Sequence, residues 1–304
     1  MKRTVFSSIV TTLLLAITSQ ASTASEADYQ IEFGFGLFET DYTSPAGNTA
    51  ELSGSIIAFE YFLDTVNVRN QPLAEAWFMN RIGSFGVAFG EADYDQKDRS
   101  GEIDLNVLGF TYMQPGSPLY LDFYYTTGSE EYDFKPGYSF IDYSNDLTST
   151  SVTLGYFVKQ NTLFVFEYES AKYEHSPAAY SQFDYTRKET NLKVKHLAPS
   201  GNGTMLNIIG LVGKTTYDEK TKADTDNTVM GFEVDFYPNS TTSIGGTFEQ
   251  TTGDDNGYKG KKVGLQGKLF LTPKFSIAVE FSEFSGKGTS SDKDAINLTA
   301  NIRM

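Results

Sequence analysis

Tyr29-Gln30-Ile31-Glu32-Phe33-Gly34-Phe35-Gly36-Leu37 puts an apolar side chain at every odd position and Gln, Glu or Gly at every even one. A period of two marks an extended strand with one apolar face, because successive side chains of a strand point to opposite sides. The pattern recurs in Ile57/Phe59/Tyr61/Leu63, Phe85/Val87/Phe89, Leu119/Leu121/Phe123/Tyr125 and Val152/Leu154/Tyr156/Val158. It continues in Phe164/Phe166/Tyr168, Leu192/Val194, Met230/Phe232/Val234/Phe236, Val263/Leu265/Leu269/Leu271 and Phe275/Ile277/Val279/Phe281. It closes with Ile296/Leu298/Ala300/Ile302/Met304. Less regular runs at 101–113, 204–217 and 242–252 bring the count to about fourteen strands. In 103–112 both Ile103/Leu105/Val107 and Leu108/Phe110/Tyr112 look apolar, which predicts a bulge.

The composition agrees with that pattern. The chain has 304 residues, 24 Phe, 19 Tyr and 27 Gly, yet a mean hydropathy of −0.32. A transmembrane β-barrel needs this pairing, since aromatic-rich lipid-facing positions alternate with polar lumen positions. A secreted β-sandwich also alternates, but aromatic faces left in water on nearly every strand would invite association. A formal charge of −15 lacks the basic footprint of a nucleic-acid binder. The absence of Cys excludes disulfide scaffolds, thiolate zinc sites and Cys nucleophiles. Beyond residue 25 no run of 18 apolar residues could form a spanning helix.

Lys2-Arg3, the apolar run Val5 to Ile17 and the small residues around Ala21 and Ala24 read as a secretory signal peptide over 1–24. The barrel is then expected over 25–304. Its connections alternate in length. Tight ones are Pro115–Pro118, Lys159–Thr162, Pro238–Thr241 and Thr272–Lys274; longer ones cover 42–50, 95–100, 129–146, 176–183, 218–227, 253–257 and 287–293. Outer-membrane barrels have short periplasmic turns and longer extracellular loops. The expected fold is therefore an all-β, antiparallel, up-and-down barrel with both termini periplasmic. Residues 64–82 break the alternation. Pro72 to Met79 reads as a short helix, with Pro in its first turn. An ordered turn is the preferred reading there over a plug of the mouth.

The stretch Gln71-Pro72-Leu73-Ala74-Glu75-Ala76-Trp77-Phe78-Met79-Asn80-Arg81, followed by Phe85-Gly86-Val87, resembles a segment of the general bacterial porin family of Gram-negative proteobacteria. The resemblance implies a pore for small hydrophilic solutes, with no catalytic residues and no cofactor. One departure is Met304, where outer-membrane barrels usually end in an aromatic residue.

Function is expected on the face opposite the apolar one. Alternation points Glu32, Glu60, Asp104, Asp122, Glu167, Glu169, Glu189, Glu233, Asp235 and Glu280 inward, with Arg187, Lys193, Lys195, Lys262, Lys268 and Arg303. So many charges require a largely wet lumen. The longest loop carries Glu130, Glu131 and Asp133. By analogy of position with general porins it folds inward, facing strands twelve and thirteen; a solvated surface loop is the alternative. Acids would then oppose Lys262 and Lys268 across a constriction, with Arg303 nearby, giving a transverse field. On strand eight, Arg187, Lys188, Lys193 and Lys195 are best read as counter-charges for Glu167 and Glu169 next door.

An enzyme is not expected. His175 and His196 fall at opposite ends of strands seven and eight, roughly 25 Å apart by strand rise and tilt. Asp224–Asn227 and Asp254–Gly257 lack a full calcium-loop spacing, so no metal is expected. The expected function is an outer-membrane diffusion channel preferring cations, exported to the Gram-negative outer membrane. The alternatives are a substrate-specific channel, or a non-conducting adhesion barrel acting through its loops. Expected partners are outer-membrane lipid and lipopolysaccharide, the barrel-assembly machinery through the terminal strand, and small solutes and ions. Monomers and trimers share this pattern.

Overall fold

The computed structural model describes residues 28–44, 46–68, 72–134, 143–176, 184–201, 204–219, 224–253, 259–286 and 291–304. The signal-peptide reading, residues 135–142 of the longest loop and the Asp254–Gly257 turn lie outside the described residues. Fourteen antiparallel strands close into one barrel. They are β1 (Tyr29–Thr43), β2 (Thr49–Val66), β3 (Ser84–Gln96), β4 (Arg99–Met113), β5 (Leu119–Phe134), β6 (Tyr143–Lys159) and β7 (Thr162–Ser176). Then follow β8 (Tyr185–Gly201), β9 (Thr204–Glu219), β10 (Thr225–Asn239), β11 (Thr242–Gly253), β12 (Gly260–Thr272), β13 (Phe275–Gly286) and β14 (Asp292–Arg303). Each strand pairs with its chain neighbours, and β1 closes on β14 from Glu32↔Arg303 to Thr43↔Asp292. The start of β1 and the end of β14 therefore meet at one end of the barrel, here the near end. There Met304 donates to and accepts from Ile31 through its backbone.

The outer face carries a band of exposed apolar side chains, among them Ile57, Phe89, Leu154, Phe232 and Leu265. On β2 to β5 this band stops abruptly. Beyond Ile57, Phe89, Leu108 and Tyr125 the same face continues with Glu51, Glu91, Asp93, Asp104 and Glu131. Charges on a lipid face are costly, so these upper walls are suited to water rather than hydrocarbon.

That continuation corrects three sequence expectations. The ladders of β4 with β3 and with β5 run without a register shift, so there is no bulge in 103–112. Asp104 therefore shares the outer face of Leu108, Phe110 and Tyr112. Residues 129–134 are strand, not loop, and Glu131 and Asp133 point outward while Glu130 points inward. The connection expected over 95–100 is a turn at Lys97-Asp98. In each case a polar strand end above the apolar band reads in sequence like a loop, because the apolar half of the alternation is missing.

Between β2 and β3 a 3-10 turn (Leu73–Glu75) leads into a short helix, α1 (Ala76–Asn80). It is not a surface turn. Leu73, Ala76 and Phe78 are almost fully buried, so the segment lies across the near mouth as a plug. Leu73 and Ala76 pack with Tyr29, Phe62, Val66 and Phe270. Phe78 packs with Met113, Phe157 and Leu163. Asn80 staples the segment, donating to the carbonyls of Asn67 (2.7 Å) and Ala76 (2.6 Å). Arg81 ends the helix in the left-handed region at φ 56, a conformation that costs a non-glycine residue about 1–2 kcal/mol. Its side chain offsets this by donating to the carbonyls of Ser117 (3.0 Å) and Lys159 (3.4 Å) while lying 4.1 Å over the Phe157 ring.

Phe78→Ala should release the plug without opening the barrel. Emptying a buried phenylalanine site costs about 3–5 kcal/mol. Amide exchange in 73–82 is expected to accelerate while strand amides keep their protection; unchanged exchange in 73–82 would contradict the docking described above.

Candidate functional site: a charged lumen closed at one end

The lumen is layered from the near mouth outward, and each layer follows from which inward position of each strand reaches it. At the near mouth the plug's carboxylate, Glu75, is the centre. Lys195 on β8 approaches it to 2.6 Å, and Tyr237 on β10 donates to it at 2.8 Å. Both side chains of the ion pair are largely buried, at 18% and 8% exposure. Breaking such a pair on one side leaves an uncompensated charge, so the bond acts as a strong local tie. From β14, Arg303 donates to Glu32 (2.6 Å) and to the Leu73 carbonyl (3.0 Å). Its guanidinium lies 4.4 Å from the Tyr29 ring centre and 4.7 Å from that of Phe270. The Leu73 amide donates to the Ser240 carbonyl in the β10–β11 turn. The plug is thus tied to walls on all sides. Behind it, a pocket of about 230 Å³ remains between Ala74 and β10 to β14.

The middle layer is a set of ion pairs and acid–neutral contacts. Lys193 meets Glu167 at 2.6 Å, and Arg187 meets Glu169 at 2.5 Å, across β7 and β8. Two of the four basic residues on β8 therefore serve as counter-charges for the acids of β7. The other two do not: Lys195 goes to the plug, and Lys188 points outward to Asp218 on β9. Other inward acids are held by neutral donors. Ser84 donates to Glu60, Thr111 to Asp122 and Asn297 to Glu280. Gln266 bridges Glu233 (3.0 Å) and Asp235 (2.6 Å). Gly245 makes this possible, since a Cβ there would collide with the Asp235 carboxylate.

In the far layer Glu130, on β5, accepts from Asn145 at 3.0 Å and from Tyr132 at 3.2 Å. Seven strands away around the ring, β12 presents Lys262 and, lower down, Lys268. Among the described residues no carboxylate lies within ion-pair distance of Lys262, Lys268 or Lys293. Lys293 instead lies 4.9 Å over Tyr42, and Lys268 5.2 Å over Phe270. Of the expected acid set facing this basic wall, only Glu130 is on the inner face.

The inner face thus holds Glu32, Glu60, Asp122, Glu130, Glu167, Lys193, Lys195, Glu233, Asp235, Lys262, Lys268, Glu280 and Arg303 from the sequence expectation. Sequence reasoning missed Glu75, whose only signal was a charge inside an otherwise apolar helical run. It also missed Glu249, Lys293 and Arg99, and a series of inward tyrosines in the far layer. The two histidines sit at opposite ends of the wall. His196 shares a hydrogen bond with Thr162 (2.8 Å) near the closed mouth, and His175 lies 3.5 Å from Asp184 at the far end. The Asp224–Asn227 stretch is not a turn: Thr225 to Asn227 belong to β10, and Asp226 is taken up by Lys214 (2.7 Å) and Thr216 (2.7 Å) on β9.

No family model and no curated protein matches the chain. Solved structures do. Omp33, an outer membrane protein of Acinetobacter baumannii, is similar at 17% identity over 92% of this chain and 100% of that one, with a TM-score of 0.52. The toluene transporter TodX of Pseudomonas putida is similar at 10% identity over 91% of this chain and 89% of that one, with a TM-score of 0.52. The toluene transporter TbuX of Ralstonia pickettii is similar at 11% identity over 91% and 90%, with a TM-score of 0.53. At such identities the likeness concerns the fold alone, and it does not single out the general porins among barrels. The chain has the fold of the bacterial outer-membrane β-barrels.

Proposed function

We propose that this protein is an outer-membrane channel for small hydrophilic solutes and ions, held shut in this conformation by the 72–82 plug. The observation that carries the reading is the lumen wall. Among the described residues it combines ion pairs, acids held by neutral donors, and ammonium groups with no carboxylate at ion-pair distance. A dry interior would have to pair nearly all of these. A fourteen-stranded barrel is also too wide for its own side chains to fill, unlike an eight-stranded one. With the barrel in the outer membrane and its termini periplasmic, the plug stands at the periplasmic mouth. Among the described residues Glu60, Asp122, Glu233 and Glu280 have no basic group within ion-pair distance, which favours cations over anions in transit.

One observation favours a second reading, a barrel that conducts nothing and acts through its far loops: the near mouth is closed. Planar-bilayer recording separates the two. The wild-type chain is expected to give rare, small openings. Glu75→Ala leaves Lys195 without its counter-ion, at a cost of about 3–5 kcal/mol to the closed arrangement, and should raise open probability by about a hundredfold or more. Replacing 69–82 by a short Gly-Ser turn should give a steady conductance, with a reversal potential of cation sign in a salt gradient. Trp77, the chain's single Trp, reports on the plug directly. Its emission should shift to the red in Glu75→Ala and quench more readily with acrylamide. A folded plug-shortened barrel that passes no current would overturn the channel reading and leave the loop-acting one.

A further inference from the structure

The far layer holds a cavity of about 800 Å³, within the range of about 300–1,000 Å³ typical of ligand sites. It is bounded by β1 and β8 to β14, with Tyr42 at one edge and Tyr217 at the other. From Tyr217 an aromatic series runs on around the wall. Tyr185 lies 6.3 Å from it between ring centres, and Tyr173 stacks on Tyr185 at 4.4 Å with only 12° between planes. On the facing side Tyr94 and Tyr132 meet edge to face at 5.4 Å, and Arg99 lies 5.3 Å from each ring centre. All these rings are half-buried, and all take inward positions on their strands. They stand apart from the buried apolar clusters described at the near end around the plug.

We infer that this far layer is a carbohydrate-binding subsite for a neutral oligosaccharide, with the tyrosine arc as its stacking surface. The inference deepens the channel reading and rests on it. A pyranose ring has an apolar C–H face and a rim of hydroxyls that both donate and accept. A tyrosine face suits the first. The cavity wall suits the second, since it presents amides (Asn191, Asn227), hydroxyls (Thr215, Thr251), a carboxylate (Glu249) and an ammonium (Lys262). A ligand of one charge sign fits this wall less well, because Glu189 and Glu249 share it with Lys193, Lys262 and Lys293. A purely apolar ligand would leave those polar groups desolvated and unpaired, at a cost of about 1–3 kcal/mol each.

Isothermal titration of the detergent-solubilised full chain with maltotriose, cellotriose and chitotriose tests the inference without requiring conduction. At least one of the three should bind saturably. Tyr185→Ala and Tyr217→Ala should each weaken that binding by about tenfold, the loss of one stacking contact. Tyr185→Phe, which keeps the ring face, should stay within about twofold of wild type. Heat-modifiable migration on a gel establishes that each variant is folded. No saturable binding of any trisaccharide to the folded wild-type chain would overturn the inference. So would alanine variants that bind like wild type, or stronger binding of the zwitterion Ala-Ala or of succinate. The outcomes are separable from those for the channel. Conductance without sugar binding sinks the subsite alone, and sugar binding to a plug-shortened barrel that never conducts sinks the channel alone.

Discussion

Every feature of this molecule depends on closing the backbone ladder between its first and last strands. In hydrocarbon there is no water to satisfy an open strand edge, and each unpaired amide or carbonyl costs several kcal/mol. The chain meets that constraint by pairing β1 with β14 over the whole length of the shorter strand. The Met304 backbone completes the ladder with Ile31. Closure with an even number of strands brings the start of β1 and the end of β14 to the same mouth. At fourteen strands it also creates an interior that wall side chains cannot fill.

That interior is where closure and plug become one problem. Arg303 sits at the seam and belongs to both. It pairs with Glu32 on the first strand, holds the Leu73 carbonyl of the plug, and lies against the rings of Tyr29 and Phe270. A planar guanidinium can donate to Glu32 and Leu73 while lying against both rings, which the compact, strongly hydrated point charge of an ammonium does not match. Glu75 plays the complementary part from the plug's side, accepting from Lys195 and Tyr237. These buried charges are weak evidence for net stability, since each had to leave water. Their geometric demand is what positions the segment: an unmatched Glu75 or Arg303 would be costly anywhere else in the mouth.

Away from the plug, the interior changes character. Near the closed mouth it is packed and apolar around Phe78 and Leu73. In the middle it is a lattice of carboxylates, amides and ammonium groups. At the far end tyrosines and a large cavity take over. The outer face changes at a matching level, from an apolar band to exposed acids on β2 to β5. Inner and outer surfaces are thus graded along the same axis, as expected of a wall whose two ends meet different surroundings.

The period of two determined the fold by itself. It set the strand number, the antiparallel order and, for most positions, which side chains face inward, because a strand's alternation is local and needs no partner to be read. The cross-strand pairs of β7 and β8 followed from the same local rule, through Lys193 with Glu167 and Arg187 with Glu169. The reading failed where the alternation lost its apolar half. Asp104, Glu131 and Asp133 lie on strands that rise past the apolar band, and a polar strand end looks like a loop. The helix at 73–80 was legible from Pro72 and the helix formers after it, but its location was not. Its ties run to residues as far as 230 positions away, and its neighbours come from β1, β8, β10 and β14 at once. Only closing the barrel brings those strands around one mouth, and so only the tertiary structure decided that the segment is a plug and that the tyrosines of separate strands form one surface.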